Sequence, residues 1–513
     1  MLQRQQKTPL PKEPRSFLWL GLAGLLLLLA HGRWTIPLAA FLAPFFMIRF
    51  LRKKKPWPGL LIGATVYSGV CLLSLSGILP FRGVYYFFYV VVISCISFLP
   101  YMADRLLAPR LMGFPSIFIF PLAATSLEYI NSLTGPFGYW GSQAYSQYGN
   151  LAFLQILSVT GLWGLSFMVT WFGPTANWIW ENKSDWKKVR FGAGVYVLAL
   201  ASILLFGGAR LVFGPPASKT VRVAAVMIPD PMAAKQNSAE VESLSRRLYR
   251  GEKLTDSELF LLRETYQEAQ DYLFQQSEFE ARAGAKIIFW AEGDADVLKQ
   301  DEAALQERGR QLAIRYQIYL GMSIHTKNPE AYPLRQNKVV LAEPSGKISW
   351  EYHKRHMVPG TGEGFSIRPG NGKLLWTDTP YGRIAAVICF DQDFYDIIRQ
   401  MGRTGIDILF VPSHDWKDIA SIRAKMAVFR SIEQGFSLVR PTSGGISLAV
   451  DGMGRIAAAM NYFTTDNSSM SAFVPIKRTK TVYSKIGDVF AWICMLGFIL
   501  LAGMGLRKKR SDR

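Results

Sequence analysis

A thiol, a carboxylate and an ammonium group stand at the ends of three strand-like runs in the second half of this sequence. Cys389 closes RIAAVIC, Glu292 follows KIIFWA and Lys354 follows KISWEYH. Strand ends are where α/β sheets gather their sites, and these three groups together suit acyl chemistry. A thiol is only a few per cent ionised at neutral pH, so it needs a base or a nearby cation to act as a nucleophile. Glu292 is the candidate to take the proton and later return it to a leaving group or activate a second nucleophile. Lys354 is the candidate to lower the thiol pKa and to stabilise the oxyanion of a tetrahedral intermediate. The competing reading is structural: a packed cysteine and two surface charges. His353, His356 and His414 lack zinc-like spacing and are read as loop residues, so neither a metal nor a cofactor is expected.

The elements that must position these groups begin at Val221. Short apolar runs bounded by turn residues there alternate with stretches of helical period. VRVAAVMI, KIIFW, IYLGMSI, RIAAVIC, DILFVPS, FSLVRPT and ISLAVDGMGRIAAAM are expected strands. KVVLAEPSGKISWEYHK is expected to be a hairpin turning at Pro344-Ser345-Gly346. Helices are expected near 300–315, 393–403 and 419–435. The charged stretch 236–283 is also helical in period, with Thr255 and Glu258 spaced as a capping box. There is no internal repeat, and the pattern predicts an α+β sandwich over 218–482. The loop PGTGEGF is rich in glycine and flanked by Met357 and Phe365, as a mobile lid would be.

Before this domain the sequence is of another kind. Half of the 513 residues are apolar, and they concentrate in runs long enough to span a bilayer. Seven spans are expected within 1–213, near 16–32, 34–50, 58–80, 84–103, 112–132, 151–175 and 191–213. An eighth is expected at 486–506, before a basic tail at 507–513. The first could be a signal peptide, but it has no small-residue cleavage site and is followed by more spans, so a retained helix is expected. Basic residues cluster in alternate loops: Arg4, Lys7, Lys12 and Arg15; Arg52 to Lys55; Arg105 and Arg110; Lys183 to Arg190; and the tail. The positive-inside rule makes these loops cytoplasmic and puts the polar domain on the far side. Cys71, Cys95 and Cys494 lie in apolar runs, which leaves Cys389 alone on the oxidising side with no disulfide partner. The net charge of +20 sits largely beside the membrane, where anionic headgroups are its counter-charge. No nucleic-acid partner is expected.

The segments WAEGD, YHKRHMVPGTGEGF and VICFDQDF resemble the Glu-Lys-Cys motifs of the nitrilase, or carbon–nitrogen hydrolase, superfamily, and RSIEQGFSLVRPTSGGISLAVDGMGRI resembles its later segment. Eight spans around such a domain resemble the apolipoprotein N-acyltransferase family, as do GPFGYWGSQAYSQYGNLAFLQILSVTGLWGLSF and TVYSKIGDVFAW. The resemblance implies a multi-span α-helical membrane domain joined to a nitrilase-like α-β-β-α sandwich. It implies Cys389 as nucleophile, Glu292 as general base, Lys354 as stabiliser of oxyanion and thiolate, and Glu363 and Asp391 as auxiliary residues. It further implies a phospholipid acyl donor, a thioester intermediate and ping-pong transfer to the N-terminal diacylglyceryl-cysteine of an apolipoprotein. The setting implied is a bacterial inner membrane with a periplasmic catalytic domain and a monomeric chain. The family usually shows Trp-Pro-Glu-Ser, where this chain has Trp290, Ala291, Glu292 and Gly293. It usually shows Cys-Tyr-Glu, where this chain has Cys389, Phe390 and Asp391. A membrane-tethered amidase using the same three residues is the alternative enzyme, and a binding module on a membrane scaffold the non-enzymatic one.

Overall fold

The structure, a computed structural model, describes residues 16–111, 113–214, 219–328 and 335–511. The basic residues ahead of Ser16 and the last two residues of the tail lie outside them. The expected strands form, apart from end adjustments. Thr220–Val226, Ile287–Trp290, Tyr319–Lys327, Arg335–Ala342 and Ile348–His353 belong to one sheet, edged by Ser469–Pro475 beside Thr220–Val226. Trp376–Thr379, Gly382–Ala386, Ile408–Phe410, Ser437–Arg440, Ile446–Val450 and Ile456–Asn461 form a second sheet. Three strands escaped the sequence reading: Ala295–Leu298, Trp376–Thr379 and Ser469–Pro475. Each is short or interrupted by polar residues, so a neighbouring strand rather than its own pattern makes it a strand.

The two sheets face each other across a closely packed interior. Phe289 of one stacks on Phe410 of the other with ring centroids 3.9 Å apart. Helices Asp256–Arg282 and Glu302–Tyr316 cover the outer face of the first sheet through Leu273, Phe274 and Leu305. Helix Ala420–Gln434 packs on the second sheet. The result is an α-β-β-α sandwich. The capping box at Thr255 forms as expected: the Thr255 hydroxyl accepts from the Glu258 amide, and the Glu258 carboxylate accepts from the Thr255 amide at 2.8 Å.

Helices occupy all eight expected apolar stretches. Four are long and apolar enough to cross a membrane: Pro56–Ser74, Gly83–Arg110, Trp186–Phe213 and Val489–Arg507. The others, Ser16–Leu28, Pro37–Lys53, Ile119–Thr134 and Leu162–Glu181, are shorter or bury more of their surface. The run expected to span 151–175 breaks into Leu151–Leu154, Leu157–Thr160 and Leu162–Glu181. Gly161 makes the break with a φ of +63°, and a Cβ there would lie 2.4 Å from the Tyr483 ring. Glycine reaches that conformation without strain and leaves room for the ring.

Alternate helix ends collect at opposite poles. At one pole Arg52 bonds Asp104 at 2.9 Å and Glu181 at 3.2 Å, while Arg105 donates to the carbonyls of Leu51 and Lys54 at 2.8 Å. At the other, Arg33 pairs with Asp418 at 3.0 Å, Trp416 donates to the Gly77 carbonyl at 2.8 Å, and the Tyr139 amide donates to the Asp393 carbonyl at 3.1 Å. Among the described residues, the basic loops around Arg52 and Arg105 thus meet beside Glu181, apart from these contacts with the sandwich.

Candidate functional site

Glu292 is set by the end of Ile287–Trp290 and by Gly293, whose φ of +80° turns the chain away beneath His325. Its side chain is buried, and both oxygens are occupied. Oε1 accepts from Asn337 Nδ2 at 2.7 Å and from Lys354 Nζ at 2.9 Å. Oε2 accepts from the His414 amide at 3.0 Å. Lys354 leaves the end of Ile348–His353, anchored by its own amide to the Asn337 carbonyl at 2.9 Å. Its ammonium also holds Glu363, at 2.8 and 3.0 Å, and Glu363 accepts the Val358 amide at 2.9 Å. One buried cation therefore ties the base candidate to the glycine-rich loop.

Cys389 sits just past Gly382–Ala386, where its amide donates to the Pro412 carbonyl at 2.8 Å. The strand ends there because Cys389 adopts a φ of +44° and opens the tight turn Cys389–Asp393. A non-glycine residue held in this region is strained, and such strain concentrates at functional sites. The Cys389 thiol points toward the His414 carbonyl at 3.9 Å, whose own amide holds Glu292.

The electrostatics follow from burial and from the shared cation. Burial alone would raise the Glu292 pKa, but the Lys354 charge and hydrogen bond outweigh it and hold the carboxyl at about 2. Burial disfavours the Lys354 charge, yet Glu292 and Glu363 push its pKa above the ordinary range. Burial and the Glu292 charge push the Cys389 thiol up to about 12 against the lowering effect of Lys354 and Arg423. At rest the site is a neutral thiol beside an ion pair.

Asp391 lies at the same turn but faces elsewhere. It accepts from Tyr352 Oη at 2.8 Å and from the amides of Arg355 and His356 at 3.1 and 2.7 Å. It thereby fixes the chain on either side of Lys354. Among the described residues no group of three His, Cys, Asp or Glu side chains is placed to hold a metal. Asn337 was missed in the sequence, although a signal was present. In RQNKVVLA it alternates with Val339 and Leu341 and so faces the inter-sheet core, where an amide needs a partner. The His414 amide left no such trace.

Residues 222–472 match the carbon–nitrogen hydrolase family model, and residues 23–175 match the apolipoprotein N-acyltransferase N-terminal domain. The chain carries the domain pair of the apolipoprotein N-acyltransferase family. An apolipoprotein N-acyltransferase of Geobacter metallireducens is 24% identical over 432 residues, 77% of this chain and 75% of that one. Apolipoprotein N-acyltransferase 1 of Treponema denticola is 24% identical, covering 75% of this chain and 76% of its own length. Among solved structures, a carbon–nitrogen hydrolase from Helicobacter pylori aligns with 44% of this chain and 89% of its own, at 19% identity and a TM-score of 0.38. An amidase from Nesterenkonia sp. aligns with 54% of this chain and 97% of its own, at 17% identity and a TM-score of 0.40.

Proposed function

We propose that this chain N-acylates apolipoproteins through a thioester on Cys389, with a membrane phospholipid as acyl donor. The observation that carries the reading is the buried cluster of Glu292, Lys354 and Cys389, linked by Trp140 and Phe390 to an apolar cavity lined mostly by the helical domain. That cavity holds about 270 Å³ and is lined by Tyr67, Phe120, Leu127, Trp140 and Ile422 among others. Trp140 packs edge-on against Phe390, the neighbour of Cys389, at 5.6 Å. An acyl chain bound in this cavity would be one aromatic pair away from the residue next to the thiol. The relatives named apolipoprotein N-acyltransferase support the lipoprotein as acceptor.

In the first step the thiol proton passes to Glu292 as sulfur attacks the ester carbonyl. Lys354 stabilises the oxyanion. As the ammonium turns to that charge it holds Glu292 less, so the proton affinity of the carboxylate rises when it must accept. Collapse of the tetrahedral intermediate expels the lysophospholipid oxygen, which takes the proton from Glu292, and the thioester remains. In the second step the lipoprotein amine attacks, Glu292 removes its proton, and sulfur leaves and is reprotonated.

The loop 359–365 acts as the lid. Glu363 ties it to Lys354, Phe365 is 83% exposed, and Gly360 lies against Pro80 and Phe81 of the helical domain. An apolar lid suits a donor that never leaves the bilayer and keeps water from the thioester. The meeting of the basic loops around Arg52 and Arg105 away from the sandwich supports a periplasmic catalytic domain in a bacterial inner membrane.

Intact mass of the protein purified from membranes tests the first half, as Cys389 should carry a fatty acyl group that Cys389→Ala lacks. Adding a diacylated lipopeptide with a free N-terminus should discharge it to a triacylated product. Rapid release of free fatty acid without acceptor, or turnover of small soluble amides, would point to the tethered amidase instead.

A further inference from the structure

A second buried cation reaches the backbone of the proposed nucleophile. Arg423, on helix Ala420–Gln434, donates through Nη2 to the Cys389 carbonyl at 3.1 Å. Its Nη1 pairs with Asp393, and both side chains are buried. Asp393 is in turn held from the helical domain. Trp140 Nε1 donates to Asp393 Oδ2 at 3.0 Å, and the Trp140 ring lies 5.1 Å from the Arg423 guanidinium. The Tyr139 amide donates to the Asp393 carbonyl at 3.1 Å, and Gly138, at a φ of +53°, has no room for a Cβ beside that carbonyl.

The geometry points to Arg423 as a positioning residue for the nucleophile, locked in place across the domain boundary by Trp140. The Cys389 backbone has a φ of +44°, a conformation that persists only where its surroundings over-determine it. Its amide is held by the Pro412 carbonyl and its carbonyl by Arg423, so the peptide groups on both sides of the thiol are fixed. A guanidinium suits this place because its planar fork serves a carboxylate and a carbonyl at once. Its charge also favours the thiolate, opposing Glu292 and Asp415 alongside Lys354. The helical domain therefore sets the reactivity of the thiol as well as offering it a donor.

This inference rests on the reading of Cys389 as nucleophile, and the two can fail separately. Acyl transfer that survives in Cys389→Ala overturns the nucleophile. For Arg423 the measurement is iodoacetamide alkylation of the Cys389 peptide, followed by mass spectrometry across pH on the full chain in detergent. This reads the thiol itself and not turnover. Arg423→Met should slow alkylation at pH 8 roughly tenfold and shift its pH profile upward by about one unit. Arg423→Lys, which keeps the charge, should restore much of that shift. Trp140→Phe keeps the ring but removes the N–H, and should give a smaller shift in the same direction. A folded Arg423→Met protein with the parent profile overturns the proposal. If Arg423→Met does not fold, Trp140→Phe decides, and a parent profile in that variant overturns it. A shift in Arg423→Met with none in Trp140→Phe overturns the lock across the boundary.

Discussion

Cys389, Glu292 and Lys354 divide their labour in a way that single substitutions can separate. After burial, the Glu292 charge raises the thiol pKa, whereas in the proposed mechanism its carboxylate takes the proton. Glu292→Gln should therefore move the two readouts in opposite directions. The thiol pKa falls, so alkylation of Cys389 at pH 8 should quicken, while acyl transfer drops by roughly 10²–10⁴. Transfer unchanged in this variant would mean that another group is the base. Lys354→Met should cost about 10²–10³ in transfer, the scale of losing an oxyanion donor. It also strands Glu292 and Glu363, so its melting temperature must be followed alongside. With the parent thiol at about 12, alkylation should rise close to tenfold per pH unit from pH 7 to 11 as the thiolate fraction grows. A plateau near pH 8 would show that the resting thiol is already activated. The three candidate residues were legible in the sequence because each ends a strand-like run. Asn337 carried a weaker signal, and the His414 amide carried none, because a backbone N–H has no residue type.

The loop 359–365 and the Gly161 joint are elements whose roles single substitutions can test. Phe365 is exposed on a loop whose Glu363 holds Lys354. Phe365→Ser should raise the apparent KM for phospholipid in mixed vesicles and leave hydrolysis of a short water-soluble thiol-reactive ester unchanged. An equal effect on both substrates would assign the loop to the chemical step instead. Gly161→Ala places a methyl group into the Tyr483 ring at a φ of +63°. The neighbouring amide, of Leu162, donates to Glu433 at 2.9 Å, and Trp163 donates to Asp488 at 2.7 Å. The variant should therefore melt markedly lower, by the few kcal/mol typical of strain plus overpacking, about 2–4. Periodicity showed that residues 151–175 are apolar but could not show where the helix starts. That point is set by a tyrosine some 320 residues further along the chain.

At the scale of the whole molecule, the sandwich and the helical domain share their buried polar groups. Arg430 pairs with Glu433 at 2.6 Å and donates to Tyr145 Oη at 3.0 Å, and Arg423 and Asp393 meet Trp140. Residues 219–482 expressed alone should be insoluble or lack a reactive Cys389, because breaking buried ionic contacts costs about 3–5 kcal/mol each. A soluble fragment with the parent alkylation profile would show that the domains are independent. In spheroplasts, protease should reach the 221–480 domain from outside, while a tag at the C-terminus should stay protected; the reverse pattern would invert the orientation. The sequence by itself determined the two-part plan, the alternation of basic loops and the three candidate residues. These rest on local quantities: the length of an apolar run, its period, and the charge of its flanks. Only the tertiary structure decided that Asp391 braces the chain around Lys354, that Arg423 and Trp140 meet beside Cys389, and which apolar helices lie inside the bundle. Those outcomes depend on which distant surfaces close over a buried charge, and a charge out of water must find its partner wherever the fold brings one.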